Sequence, residues 1–244
     1  MAIVTGAAGG LGSAIARRFA DEGASLCLAD RVDAGAVAAS LPTAIAVQTD
    51  VTQSAEIKAL MQKAQSEFGR IDILVNVAGV SSHGNATDLA EAEWDRVLIH
   101  NLKSAFLCIQ AVVPAMRSRR YGRIISIGSI LGKNGGNPRP WIDPAEQTRA
   151  GNVAYGASKA GIHALNYYFA KELAADGITV NVVAPGPIAS PMTTNFPQTL
   201  RDLIPVGRMG QPQDVADAVT FLAGEQAGFI TGEVLDVNGG AWCD

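Results

Sequence analysis

The chain has 244 residues, 48% hydrophobic and 17% charged, enough apolar material for one substantial core, so residues 1–244 are read as a single domain. A net charge of −4 and an isoelectric point near 5.4 argue against nucleic acid as a partner. Three cysteines without a CxxC spacing argue for reduced thiols in the cytoplasm, and His83, His100 and His163 share no ligand spacing, so no metal is expected.

Met1 leads directly into a short β-prone run, Ala2–Thr5, without the pattern of a signal peptide. No apolar run in the chain reads as long enough to cross a membrane. After Gly6, residues Leu11, Ile15, Ala16, Phe19 and Ala20 recur at helical spacing. Between strand and helix lies Thr5-Gly6-Ala7-Ala8-Gly9-Gly10-Leu11-Gly12. Glycines let a backbone approach a pyrophosphate, and the helix N-terminus stabilises its charge. A tight turn needs glycine on steric grounds alone, so the turn gains meaning from the next strand, residues 25–29, which ends at Asp30. A carboxylate there accepts hydrogen bonds from the adenosine ribose and repels a 2′-phosphate; the plain alternative is an aspartate capping the following turn. Arg31 could serve a 2′-phosphate, but no lysine or arginine lies within residues 6–12 to assist it. Asp30 is therefore read as dominant, Arg31 as flanking the adenine, and NAD(H) as preferred over NADP(H).

Residues 44–48, 71–75, 123–128 and 178–183 are further short β-rich runs with helical stretches between them. That alternation predicts an α/β fold with a doubly wound parallel sheet covered by helices on both faces. The basic run Arg117, Arg119, Arg120 and Arg123 reads as complementing the C-terminal dipole of the preceding helix. Tyr155 and Lys159 then fall four apart in a helical stretch, on one face. A nearby ammonium stabilises a phenolate and lowers the tyrosine pKa from its usual value of about 10, which makes a usable acid/base. Taken alone, the pair is an exposed tyrosine beside a solvated lysine; its meaning comes from its surroundings.

Those surroundings are Thr5-Gly6-x-x-x-Gly10-x-Gly12, Asp30, Asp50-Val51, Asn76-Val77-Ala78-Gly79, Asn101, Ser129, Tyr155-x-x-x-Lys159 and Pro185-Gly186-Pro187-Ile188. In that order, and over residues 1–244, the chain resembles the short-chain dehydrogenase/reductase family, of the shorter type with a TGxxxGxG turn and a YxxxK pair. The resemblance implies a Rossmann-type domain, normally with several residues before the first strand. Ser129 would hydrogen-bond the substrate oxygen and Tyr155 would transfer its proton. Lys159 would lower the tyrosine pKa and bind the nicotinamide ribose, and Asn101 would hold a water linking Lys159 to solvent. For the cofactor, Gly6, Gly10, Leu11 and Gly12 would form the phosphate turn, with Asp50 and Val51 at the adenine. Asn76, Ala78 and Gly79 would pass the adenosine ribose, while Pro185, Gly186, Ile188 and Ser190 would hold the carboxamide end. The implied reaction is hydride transfer between NAD(H) and a secondary alcohol or ketone. Two readings stay open beside it: an NADP-dependent carbonyl or 3-oxoacyl-carrier-protein reductase, and a dinucleotide-binding regulator on the same fold. The substrate is not legible.

The chain departs from the family pattern at three places. Val77 stands where a second asparagine is usual and Ser190 where threonine is usual. Ser129 and Tyr155 are separated by about twice the usual length, an insertion at 132–152 rich in glycine and proline with Trp141 inside it. Both ends of the insertion are tied to catalytic candidates, so it is expected to border the substrate pocket. Trp141 would close over the substrate, and Arg139 or Arg149 would pair with a carboxylate or phosphate on it. The alternative is a solvent-facing or subunit-contact loop. Residues 190–206 are expected to form a substrate lid. Residues 232–240 resemble the family's last strand at a subunit interface, implying a homotetramer, with a dimer as the alternative.

Overall fold

The computed structural model describes residues 1–136, 150–190, 193–194 and 196–243. The described strands are β1 (Ala2–Thr5), β2 (Leu26–Asp30), β3 (Ala44–Gln48), β4 (Ile73–Asn76), β5 (Gly122–Ile127), β6 (Ile178–Pro185) and β7 (Val234–Val237). They form one parallel sheet in the order β3-β2-β1-β4-β5-β6-β7, with Val4 opposite both Leu28 and Val75. The helices are α1 (Gly10–Asp21), α2 (Gly35–Ala39), α3 (Ser54–Phe68), α4 (Glu91–Leu98), α5 (Ser104–Arg119), α6 (Leu131–Asn134), α7 (Val153–Leu173), α8 (Gln198–Arg201) and α9 (Pro212–Ala223).

Side chains alternate across a strand, so a sheet covered on both sides needs apolar residues at both parities. Ala2, Val4, Leu26 and Leu28 face one cluster, shared with Ile15 and Phe19 of α1 and Val215 and Val219 of α9. Ile3, Cys27 and Ala29 face the other, with Ile57 and Leu60 of α3 and Ile109, Val112 and Met116 of α5. This is the doubly wound arrangement that the alternation predicts.

Several expectations are corrected. The predicted strand 71–75 starts at Ile73, because the amides of Asp72 and Ile73 both donate to the Met1 carbonyl at 3.2 Å, just ahead of β1. The tail strand shortens to Val234–Val237. Of the basic run, Arg117 and Arg119 do lie in the last turn of α5, where Arg117 also pairs with Asp176 at 2.7 Å, while Arg123 belongs to β5, buried 4.5 Å over the Tyr121 ring. Finally, α4 and α5 join into a continuous helical rod, Glu91–Arg119, that is long and apolar enough by length and composition to cross a membrane. The sequence reading missed it because charged residues at its N-terminal end mask the apolar stretch. Cys108, Ile109, Val112 and Met116 of the rod are spent on the protein core.

Candidate active site

The carboxyl ends of the strands share one edge of the sheet, and the strand order reverses between β1 and β4, where α/β sheets open a ligand crevice. Gly6, at φ +65, turns the chain there; a Cβ on it would lie 2.8 Å from the Ala78 amide nitrogen, so turn and loop approach more closely than a side chain allows. Helix α1 begins without a side-chain cap and without an acidic residue in its first turn. Its leading N–H groups have no intrahelical acceptor, and a Cβ on Gly10 would meet nothing within 4 Å. This cradle suits a dinucleotide pyrophosphate. Leu11 packs inward onto the core, and buried Gly12 lies under the Gly6 backbone.

Asp30 bounds the next side of the crevice. Its carboxylate accepts from the Ala8 amide at 3.0 Å and the Val32 amide at 3.1 Å, so the strand-end acid also pins the glycine turn. Arg31 is exposed beside it. Asp50 accepts from the Thr52 amide and hydroxyl at 2.9 and 2.8 Å, and the amide bond leads in holding its carboxyl below the usual range. Val51 is half-buried against the core. Asn76 donates to Ser126 at 3.2 Å. The Thr5 hydroxyl accepts from the amides of Val77 and Ala78 at 3.1 and 3.2 Å, which holds the loop while the Val77 side chain packs on the apolar cluster.

Beyond β5 the structure brings the four catalytic candidates together. Ser129 is buried and its hydroxyl accepts from the Leu131 amide at 3.1 Å. Tyr155 and Lys159 lie on the first turns of α7, with the ammonium 5.6 Å from the phenol ring centroid. Lys159 is buried and donates to the Ile127 carbonyl at 2.7 Å. Burial pushes its ammonium down to about 8. Burial also pushes the Tyr155 phenol up, partly countered by a hydrogen bond with Ser129. This differs from the expectation that Lys159 carries the phenol below its usual value: burial sets the direction, and Ser129 supplies the lowering contact.

Asn101 sits in a π-helical segment, Ile99–Lys103, between α4 and α5. Such segments widen a helix locally and are frequent at functional sites. Its side chain accepts from the Val80 amide at 2.7 Å and donates to the Val80 carbonyl and the Ser158 hydroxyl, both at 3.0 Å. A Cβ on Gly79 would lie 3.0 Å from Asn101 Oδ1 and 3.9 Å from Lys159 Nζ, so the missing side chain leaves the space these two groups flank.

On the far side, Pro185 ends β6, and Gly186 donates to the Val237 carbonyl at 3.0 Å while crossing close to Asn238. Ile188 pairs with Gly210, and the Ser190 amide donates to the Thr193 hydroxyl at 2.9 Å. The insertion re-enters the described structure at residue 150, where Gly84 donates to the Ala150 carbonyl at 3.1 Å and Gly151 pairs with His83. Trp141, Arg139 and Arg149 lie outside the described residues, as do Pro191, Met192 and Asn195 of the expected lid. Among the described residues, no three His, Cys, Asp or Glu side chains are placed to hold a metal ion.

Two residues escaped the sequence reading. Asn152 caps α7, accepting from the Ala154 and Tyr155 amides at 3.1 and 3.3 Å and donating to Ser82 at 2.8 Å, so it sets where the tyrosine's helix begins. An asparagine just before a helix is a recognisable cap signal. Ser158, which receives the Asn101 amide, carried no comparable signal.

A family model described as enoyl-(acyl carrier protein) reductase matches residues 6–241. The chain is similar to the 3-oxoacyl-[acyl-carrier-protein] reductase FabG of Staphylococcus epidermidis, 39% identical over 252 residues covering 99% of this chain and 98% of that one. It is also 39% identical to the FabG of Escherichia coli over 249 residues, covering 99% and 97% of the two chains. Agreement over nearly the whole length, with the glycine turn and the Ser129, Tyr155 and Lys159 cluster held on one sheet edge, assigns the chain to the short-chain dehydrogenase/reductase family, oxidoreductases that use a nicotinamide dinucleotide.

Proposed function

We propose that the protein interconverts a ketone and a secondary alcohol at Tyr155, acting as a reductase of 3-oxoacyl groups like those named for its relatives, with NAD(H) as the preferred dinucleotide. The observation that carries this is the Ser129–Tyr155 contact beside Lys159, at the edge that also bears the phosphate cradle. The bound nicotinamide supplies the hydride. Ser129 orients the substrate oxygen; Tyr155, its pKa raised, holds the proton that this oxygen needs on reduction; Lys159 stabilises the phenolate left behind. Asn101 keeps the loop after β4 against α7 through Val80 and Ser158, and a water on it relays the proton to solvent. Gly6, Gly10, Leu11 and Gly12 hold the pyrophosphate, Asp30 and Arg31 the adenosine end with Asp50 and Val51, Asn76 to Gly79 the ribose passage, and Pro185 to Ser190 the carboxamide end. A complete set of proton-transfer side chains disfavours a non-catalytic regulator.

The test offers purified protein acetoacetyl thioesters with NADH or NADPH and, in parallel, secondary alcohols, sugars, hydroxy acids and diols with NAD+. Thioester reduction is expected to give the highest kcat/KM. A second reading, an NAD-linked dehydrogenase of a small secondary alcohol, is favoured by Asp30 at the ribose end, and dominant alcohol oxidation with inert thioesters would establish it instead.

Asp30→Ala is expected to lower kcat/KM with NAD(H) by about tenfold to a hundredfold, the range for losing hydrogen bonds to a charged group. The NAD preference should narrow at the same time, as Arg31 becomes free to meet a 2′-phosphate. A wild-type enzyme that prefers NADP(H) by about tenfold, some 1.4 kcal/mol, sinks the cofactor assignment.

The protein is further proposed to be a cytoplasmic homotetramer, with a dimer as the alternative. Burial pushes the Cys27 and Cys108 thiols up to about 12, so both are structural and inert. Supporting assembly, Leu98, Leu102, Phe106, Ala164 and Tyr168 line an apolar groove of about 460 Å³ on the α4–α5 and α7 faces, with Tyr168 78% exposed. Tyr168→Glu with Phe106→Asp should lower the sedimentation coefficient; a wild-type protein that is monomeric at micromolar concentration overturns both assemblies.

A further inference from the structure

The chain beyond β6 lines a cleft of about 690 Å³ that includes Ser190, Thr193, Gln198, Arg201, Arg208 and Asp202. Two arginines border it, and their charges are met differently. Arg208 forms a two-pronged pair with Asp214 at 2.7 and 2.9 Å, which holds that carboxyl at about 2. Arg201, on α8, has no carboxylate within ion-pair distance among the described residues, and its Nε is withdrawn from solvent without an acceptor. The adjacent acid, Asp202, is instead engaged by the Gln198 amide at 2.7 Å. The other donors near it are also committed: the Thr193 hydroxyl donates to the Ile188 carbonyl at 2.7 Å.

A guanidinium nitrogen buried without an acceptor is unfavourable and calls for an explanation. A planar fork with no acid partner among the described residues fits a carboxylate or phosphate that arrives from outside. The dinucleotide's pyrophosphate already has a place at the uncapped start of α1. The cleft begins where the chain leaves Ile188, on the side expected to face the carboxamide and so the reacting carbon.

We propose that Arg201 recognises an anionic group of the substrate, a carboxylate or a phosphate carried on the same molecule as the reacting carbonyl. This rests on the ketone-reducing reading above and narrows its substrate class to anionic ketones and their alcohols. It also makes α8 a specificity element of the expected lid, acting through charge and not through shape alone.

The test measures binding, so that it does not depend on turnover. Wild type, Arg201→Gln and Arg201→Lys are loaded with NAD+, which cannot donate a hydride to a ketone, and titrated with acetoacetate, with neutral methyl acetoacetate and with inorganic phosphate. NADH affinity is measured separately. In Arg201→Gln, affinity for acetoacetate or for phosphate should fall by about tenfold or more, the lower end for a charged hydrogen bond. Methyl acetoacetate and NADH affinities should stay within about twofold, and Arg201→Lys, which keeps the charge without the fork, should fall between. Loss confined to acetoacetate assigns a carboxylate substrate, and loss confined to phosphate assigns a phosphorylated one. If neither anion distinguishes wild type from Arg201→Gln, or if NADH affinity falls in step with the anions, the proposal is overturned. Should Arg201→Gln unfold, Arg201→Lys decides: a fall in acetoacetate or phosphate affinity with methyl acetoacetate and NADH affinities kept supports the proposal, and unchanged anion affinity overturns it. Failure of the ketone-reducing reading has a different signature: no carbonyl compound oxidises NADH, while the dependence of anion binding on residue 201 persists.

Discussion

Tyr155→Phe is expected to lower turnover by about a thousandfold, within the range that positioned acid/base groups contribute, while dinucleotide affinity stays within about twofold. The change removes one oxygen and leaves the ring on α7. It also removes the Ser129 hydrogen bond, costing about 1 kcal/mol of stability, too little to unfold the protein. Because burial raises the phenol above its usual 10.0, Tyr155 keeps its proton throughout the neutral range, and ketone reduction should not lose its acid there. Alcohol oxidation needs the phenolate and should climb with pH. A Tyr155→Phe enzyme with turnover within tenfold of wild type would remove Tyr155 from the proton-transfer role.

Lys159→Met is expected to abolish turnover and weaken dinucleotide binding, yet to raise stability at neutral pH. The buried ammonium sits at about 8, below its ordinary 10.5, which corresponds to about 3 kcal/mol of destabilisation at pH 7. The folded-state value is the lower one, so the unfolded chain binds more protons between these two values. The cost is therefore fully present below pH 8 and is relieved as pH rises from about 8 toward 10.5. Losing the bond to the Ile127 carbonyl returns about 1 kcal/mol, so the variant should be about 2 kcal/mol more stable at pH 7. For a chain of this length that is several degrees of melting temperature. Melting curves from pH 6 to 10 check the sign: the advantage of Lys159→Met should shrink as pH rises. A variant less stable than wild type at every pH, by a constant margin, would show that Lys159 carries no buried charge. Ordinary selection for stability does not retain such a lysine; a site that needs a cation beside a phenolate does.

What the sequence determined by itself was local. Strand parity placed apolar residues on both faces of the sheet, glycine spacing marked the turn after β1, and the four-residue step from Tyr155 to Lys159 put both on one helix face. Each is a regularity of backbone geometry within a few residues, so it is written in the order of side chains. The tertiary structure decided everything that depends on what remote chain brings up. It closed the long separation between Ser129 and Tyr155, inserted a π segment at Asn101, and put the Asp30 carboxylate against the Ala8 amide. It also reversed the expected direction for Tyr155 and, among the described residues, left Arg201 without an acid while Arg208 has one. The reason is the same in each case. A pKa or an unmet charge is set by desolvation and by the groups that packing assembles around it, and those come from segments tens of residues apart.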